Sequence, residues 1–413
     1  MDAAKNRAAF SAYMENGSVL VMFAGEEQIK RSDEPYRFTP KRNFYYMTGI
    51  DRPKIILVMR KIAETVSETL YIERSYELKA KWTGDVLGTG QAKEISGVAE
   101  ICYIDEFYDS FSSSVFRNSL DKIYLDLENR YWNAPVSEDI LFANEIKTRY
   151  PHAEIVNAYN IFAGLRSVKS DSEVENIQKA IDITAEGLLE IMKNSRPGMF
   201  EYELEAYFDF VLKKNGVMDK AFTTIAASGA NAAILHYSEN NAKTFDGSMV
   251  LFDLGAQWNY YSADVTRTFP VNGRFSSRQK QLYEIVLNGG CKVISAIRPG
   301  IKFSCLNEIL KEYYVEELQK IGLISDGSEL SKYYFHGVSH MLGLETHDIG
   351  RGSEGVLKKG MVFTVEPGLY IPEESIGIRI EDDVLVTDGG CVVLSAAIPK
   401  TVSEIEALMA ESK

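Results

Sequence analysis

Two matching segments constrain most strongly what this chain can fold into. Arg196-Pro197-Gly198 and Arg298-Pro299-Gly300 each stop a helical pattern, as proline and glycine in tandem should. Six residues past each glycine stands a leucine, Leu204 or Leu306, and a further helical pattern then runs to Gly216 in one copy and to Gly322 in the other. Both blocks pass into sequence with a β-rich reading, residues 223–240 and 334–348. Each ends on an apolar run entered by a glycine and broken by a carboxylate, Gly247 to Asp253 and Gly360 to Glu366. One such triplet is an ordinary helix stop, but two with the same sequel predict a repeat of roughly 100 residues. The carboxyl-terminal region is therefore expected to be two related half-domains folded face to face.

At 413 residues the chain is too long for that repeat alone, and a second core is expected. Residues 18–24, 55–59, 69–73 and 123–127 read as buried strands with helical patterns between them, predicting a small α/β domain. A hinge is expected over 157–172. Ser170 and Glu173 have capping-box spacing. Behind them Val174, Ile177, Ile181, Thr184, Leu188 and Ile191 recur at helical intervals, so a long amphipathic helix should open the second domain. The boundaries expected are 1–160 and 170–413, and the class is α+β. No apolar run approaches the roughly 18 residues of a membrane span, and the first residues lack a signal-peptide order. Four dispersed cysteines fit a reduced, cytoplasmic setting, and a net charge of −14 argues against nucleic acid or an anionic membrane as partner.

Acidic residues interrupt core-type strands at three places: Asp253 in MVLFDLGA, Glu366 in MVFTVEPGLYI, and Glu381 between GIRI and VLV. Buried carboxylates need a partner or a metal. Asp253 and Asp264 flank the polar turn QWNYYS, so a hairpin would set them on facing strands, and Glu366 and Glu381 flank a second loop in the same relation. Four carboxylates meeting at a pseudo-two-fold axis cannot all stay ionised unaided; two divalent cations would relieve them. Three of the five histidines, His336, His340 and His347, fall in HGVSHMLGLETH. The glycines there favour an extended segment over a helix, so only one of His336 and His340 need be a ligand. A structural salt-bridge network remains the bland alternative for the carboxylates, and Arg379 could simply pair with Glu381 or Asp382.

The stretches FDLGAQWNYYSADVTRTFPVNG, HGVSHMLGLETHDIG, FTVEPGLYI and IGIRIEDD, in this order, resemble the pita-bread metallopeptidases, and among them the proline-specific branch of aminopeptidase P and prolidase. The resemblance implies a pita-bread catalytic domain and removal of the N-terminal residue from peptides with proline in second position. By it, Asp253 chelates one metal, Asp264 and Glu381 bridge two, and His340 and Glu366 complete the second. The ions would be Mn²⁺ foremost, with Co²⁺, Zn²⁺ or Fe²⁺ tolerated. His236, His336, His347, Tyr370 and Arg379 would surround the substrate's proline and scissile carbonyl, and Glu366 would carry a proton to the leaving nitrogen. YRFTPKRNFYYMTGID and KWTGDVLGTG resemble the amino-terminal domain of bacterial aminopeptidase P. They imply that Trp82 reaches a neighbouring subunit's site, that Asp33 lies near the substrate's free amine, and that the protein is a homodimer or homotetramer. Phe222 departs from the family, standing where many relatives have a tyrosine, and Arg351 is an uncertain match to a family arginine in a shortened loop. The near alternative is prolidase, acting on Xaa-Pro dipeptides. A non-catalytic pita-bread binding protein is the alternative from another class, disfavoured because all five ligand positions are filled.

Overall fold

The computed structural model describes residues 2–75, 81, 84, 86–118, 120–350 and 355–411; Trp82 and Arg351 lie outside them. The chain divides into two compact units, Met1–Leu165 and Arg166–Lys413.

The first unit is built on a six-stranded mixed sheet of β1 (Ser18–Phe23), β4 (Ile56–Ile62), β5 (Thr65–Ile72), β6 (Glu100–Tyr103), β7 (Lys122–Leu125) and β8 (Glu154–Asn157), in the order β6-β5-β4-β1-β7-β8. A small hairpin, β2 (Ile29–Arg31) with β3 (Glu34–Pro35), stands apart from it. β1 is buried along its whole length, as its apolar run predicts, with β4 antiparallel on one side and β7 parallel on the other. Phe107, Phe111, Phe142 and Ile146 cover the sheet from helices Phe107–Asn118 and Glu138–Arg149. β6 and β8 were not legible as strands: both are edges, half-exposed, and neither carries an apolar run. The expected hinge is partly helical instead. Tyr159–Ser167 forms a helix because Phe162 has a core to enter, stacking on Phe10 at 4.9 Å between ring centroids.

The second unit opens with helix Asp171–Asn194, where Glu173 Oε2 accepts from the Ser170 backbone N–H at 2.9 Å. Ile177, Ile181, Thr184, Leu188 and Ile191 are its buried face. It ends before the first stop triplet. Helix Glu201–Lys214 follows and packs against it, closing on Gly216 in the left-handed region (φ 72°). The second copy repeats the pattern: helix Ser277–Ala296 packs on helix Phe303–Lys320, which closes on Gly322 (φ 69°).

Each copy ends in an antiparallel sheet. In the first, β10 (Met249–Leu254) lies between β9 (Ile225–Ser228) and β13 (Val265–Pro270), with β11 (Gln257–Trp258) and β12 (Tyr261–Ser262) tipping the hairpin. In the second, β14 (Val362–Val365) pairs with β17 (Asp382–Val386) and β17 with β18 (Cys391–Val393), while β15 (Gly368–Ile371) pairs with β16 (Ile376–Arg379). The β-rich reading of 334–348 does not hold. Among the described residues this stretch forms no strand beyond a single bridge, Met341 to Phe363. It still docks on β14, because Thr364 and Glu366 donate their backbone N–H groups to the carbonyls of His340 and Val338 at 2.9 Å each.

Candidate metal centre

The two carboxylate hairpins form for the same reason and differ in register. In the first, Asp253 stands opposite Thr266 and Leu254 opposite Val265; Ala263 N–H then donates to the Ala256 carbonyl at 3.0 Å. That register sets Asp264 opposite Gly255, so Asp253 and Asp264 do lie on facing strands of one hairpin, as a diagonal pair. A two-residue stagger leaves both on one face, because side chains alternate with period 2. In the second hairpin, Val365 stands opposite Asp382 and Gly368 opposite Arg379 in one continuous register, which puts Glu366 directly across from Glu381. Pro367 has no N–H, so the ladder is interrupted there. The Glu381 N–H turns instead to the other hairpin, donating to the Thr266 carbonyl at 3.0 Å. The Thr266 hydroxyl donates to Glu381 Oε2 at 2.7 Å, and the Asp264 N–H to Asp383 Oδ2 at 3.2 Å. The hairpins are thus knitted together along the axis between the copies.

Asp264, His340 and Glu381 each bring one donor atom to within 4.8 Å of the others. His340 Nε2 lies 3.3 Å from Asp264 Oδ2, 3.6 Å from Glu366 Oε1 and 3.9 Å from Glu381 Oε1. Its Nδ1 lies 3.2 Å from the Met341 carbonyl, which accepts a hydrogen bond from Nδ1–H and so leaves Nε2 with its lone pair toward the carboxylates. Asp253 completes the group. Its Oδ2 accepts from Arg379 Nη2 at 2.6 Å, its charge helps to raise Asp264, and its buried Oδ1 has no hydrogen-bond partner. Burial, reinforced by the neighbouring carboxylates, holds Asp264 and Glu381 well above the usual carboxylate range. Burial raises Glu366 too, against the opposing pull of His340 and Arg379. One imidazole and four crowded, oxygen-rich carboxylates, one with an orphaned buried oxygen, fit divalent cations of the hard to borderline kind.

The other expected site residues fall into three groups. His347 stands edge-on to His340 with ring centroids 4.3 Å apart. His336 lies beside Glu366, Nδ1 to Oε2 at 3.6 Å, and burial lowers its pKa to about 4, with the Arg379 guanidinium acting in the same direction and His236 close by. Tyr370 and Arg379 are beneath this surface, both essentially inaccessible. Arg379 donates to Asp253, to the Tyr370 hydroxyl at 3.0 Å and to Thr266 Oγ1 at 3.1 Å, and the Tyr370 hydroxyl reaches His336 Nε2 at 2.9 Å. The pairing of Arg379 with Glu381 or Asp382 is not formed; Arg267 takes Asp382, at 2.7 Å. Arg379 is joined to the site through Asp253 and Tyr370. Asp33 lies exposed in the turn between β2 and β3. Phe222 is half-buried next to Ala221, whose N–H donates to the Gly255 carbonyl at 2.8 Å.

Sequence reasoning missed Thr266, which supports Glu381 while accepting from Arg379, and Asp383, which caps the Asp264 N–H. A signal for the threonine was present. Asp264, Thr266 and Thr268 are polar at every second position of an apolar strand, so they share the face that carries the ligands.

A buried histidine–carboxylate centre shared by two pseudo-symmetric hairpins defines a metallohydrolase of the pita-bread architecture. The chain belongs to metallopeptidase family M24, whose model matches residues 175–388, and residues 3–124 match the aminopeptidase P N-terminal domain. It is 34% identical to the Xaa-Pro aminopeptidase of Escherichia coli (strain K12), over 99% of this chain and 97% of that one. Among solved structures, a Bacillus anthracis chain described as an aminopeptidase P superposes with a TM-score of 0.98 at 47% identity, covering 100% of this chain and 98% of that one. Zn-substituted E. coli aminopeptidase P in complex with product gives 0.92 at 32% identity, with the same coverage.

Proposed function

We propose that this chain is a dinuclear-metal aminopeptidase that releases the N-terminal residue from peptides with proline in the second position. One observation carries the reading: His340 Nε2 lies within 4 Å of oxygens from three carboxylates of two separate hairpins. Asp253, Asp264, His340, Glu366 and Glu381 would hold two divalent ions, with Asp264 and Glu381 between them. Bound there, such ions supply Lewis-acid polarisation of the scissile carbonyl and a water nucleophile near neutral pH.

The remaining work falls to the chain's own groups. His347, beside His340, and His236, near His336, donate hydrogen bonds to the oxygen on which charge develops. Glu366 takes the proton that the attacking water loses as its oxygen bonds to the carbonyl carbon, and passes it to the proline nitrogen as the C–N bond breaks. His336, neutral at pH 7 and fixed by the Tyr370 hydroxyl, forms a wall for the proline ring. Mn²⁺ as the metal, a homodimer or homotetramer in which Trp82 and Asp33 restrict substrate length, and a cytoplasmic setting belong to the same reading. Among the described residues no helix is long and apolar enough to cross a membrane.

The test is hydrolysis of Gly-Pro and of a longer Xaa-Pro-Xaa peptide by Mn²⁺-loaded protein, with a chelated control. Metal-dependent release of a single residue from the longer peptide is expected. Cleavage of the dipeptide alone would make the enzyme a prolidase, and cleavage of neither, with metal bound, would overturn the reading.

A further inference from the structure

Glu201 is fully buried in the first turn of helix Glu201–Lys214, and every hydrogen bond it accepts comes from a neutral donor. Oε1 accepts from Ser228 N–H at 2.6 Å, from Ser228 Oγ at 2.7 Å and from Asn231 Nδ2 at 3.2 Å. Oε2 accepts from the Tyr237 hydroxyl and the Ala242 N–H, both at 2.9 Å. A carboxylate can stay in such a place because converging donors, and the helix N-terminus it occupies, replace the water it has lost. All five donors belong to one stretch, from the end of β9 to Ala242. That stretch carries His236.

The clamp is anchored on both sides. Asn231 lies in the 3-10 turn Gly229–Ala233, and the Ala232 carbonyl of that turn is pressed on β16, where a Cβ at Gly377 would overlap it. Tyr237, buried by its bond to Glu201, is the immediate neighbour of His236. The repeat supplies a contrast. Counting from the stop triplets, the position of Glu201 is Phe303 in the second copy, an apolar residue packed edge-on against Phe363 at 5.2 Å. The polar clamp therefore has no counterpart at this position of the second copy, although the matching stretch there, 334–348, carries three histidines of its own.

We propose that Glu201 is a positioning residue, whose carboxylate sets the loop 228–242 so that His236 is presented to the metal centre. The assignment rests on the peptidase reading above. Its test is a double-mutant cycle of Glu201→Gln and His236→Ala in the metal-loaded full chain. The Gln amide would point donors at donors, and a roughly tenfold or greater loss of kcat/KM on the Xaa-Pro-Xaa peptide is expected, as for other supporting groups. In the His236→Ala background the same change should cost less than about twofold, because the loss is already taken. A purely structural role predicts losses that multiply, and that result overturns the assignment. Tyr237→Phe, which removes a single donor, repeats the cycle should Glu201→Gln fold poorly, with about threefold expected in place of tenfold. Hydrogen exchange gives a readout independent of turnover. Glu201→Gln should speed exchange of residues 228–242 about tenfold while β10, β13, β14 and β17 keep their protection; unchanged loop protection also overturns the clamp. A parent that cleaves nothing while the loop responds would refute the peptidase reading and leave the clamp standing.

Discussion

In the first half-domain, Asp253 and Asp264 reach the centre along a diagonal, across a two-residue stagger; in the second, Glu366 and Glu381 stand directly opposite each other. The stagger has a use. It puts Thr266 opposite Asp253, and that threonine supports Glu381 of the other hairpin. The second hairpin returns a cation, Arg379, to Asp253 of the first. Each copy thus supplies a hydrogen-bond donor to a carboxylate of the other. Each copy also has a glycine two residues after the first carboxylate of its hairpin, Gly255 and Gly368, for different reasons. A Cβ at Gly255 would overlap the backbone carbonyl of Ala263 across the hairpin, whereas at Gly368 it would meet the Tyr370 hydroxyl at 2.6 Å. One glycine protects strand pairing; the other protects the line from Arg379 through Tyr370 to His336.

The largest expected effect would break the symmetry at its axis. Asp264→Asn or Glu381→Gln removes a carboxylate that both ions would share, and metal content and activity should fall together, kcat/KM by roughly 10³-fold or more. Elemental analysis of the purified variant beside its kinetics decides this; full activity without bound metal would end the two-metal reading. Next comes the glycine pair. Gly255→Ala forces the first hairpin apart, since a backbone carbonyl cannot swing away, and should weaken metal binding by about 10–100-fold while lowering the melting temperature. Gly368→Ala can be relieved by rotation of Tyr370 at the expense of its bonds to Arg379 and His336. About tenfold in activity, with metal affinity nearly kept, is expected there. Equal losses of metal from both variants, read by titration with a chromophoric chelator, would show that the two glycines do not differ in this way.

Why the carboxylate cluster was legible and the register was not follows from the same residues. Asp253, Glu366 and Glu381 stand out because a carboxylate inside an apolar strand has few physical excuses. The midpoint between Asp253 and Asp264 does not locate the turn, however. The turn is set by Asn259 and Tyr260, both in the left-handed region at φ 47° and 66°, so that Trp258 pairs with Tyr261. Asparagine announces such a turn, but tyrosine in its second position conceals it. The two copies of the stop triplet fixed the order of elements. The segment 334–348 defied its β-rich reading because Gly337 and Gly343 leave it no continuous ladder, only single bonds onto β14. Glu201 left no trace in the pattern at all. Its sequence position reads as an ordinary helix start, and its meaning lies in five donors that only the fold assembles.

The smallest effect concerns pH, and it would sharpen the claim that the two hairpins share one strained set of charges. Without metal, burial and mutual repulsion raise Asp264, Glu381 and Glu366 above ordinary carboxylates. Their folded forms bind more protons than the unfolded chain at pH values just above the usual carboxylate range. Stability from this source is complete below about pH 4 and is lost as pH rises toward the elevated folded values. His336 works in the opposite sense: its lowered pKa means the unfolded chain binds the proton first, so stability falls as pH drops from about 6.5 toward 4. Ions that pair with the carboxylates remove the first penalty and leave the second. The melting temperature of metal-loaded protein should therefore exceed that of chelated protein by a margin that grows as pH rises from about 5 to 7, by about 2–4 °C for each kcal/mol recovered. Metal binding should also release protons over the same range, measurable by calorimetry in buffers of different ionisation enthalpy. In Arg379→Lys the margin should shrink, because Asp253 loses the guanidinium that shares its charge and holds it toward the ligand set. A margin independent of pH in the parent would mean that Asp264, Glu366 and Glu381 titrate as separate groups and that the hairpins are coupled by packing alone.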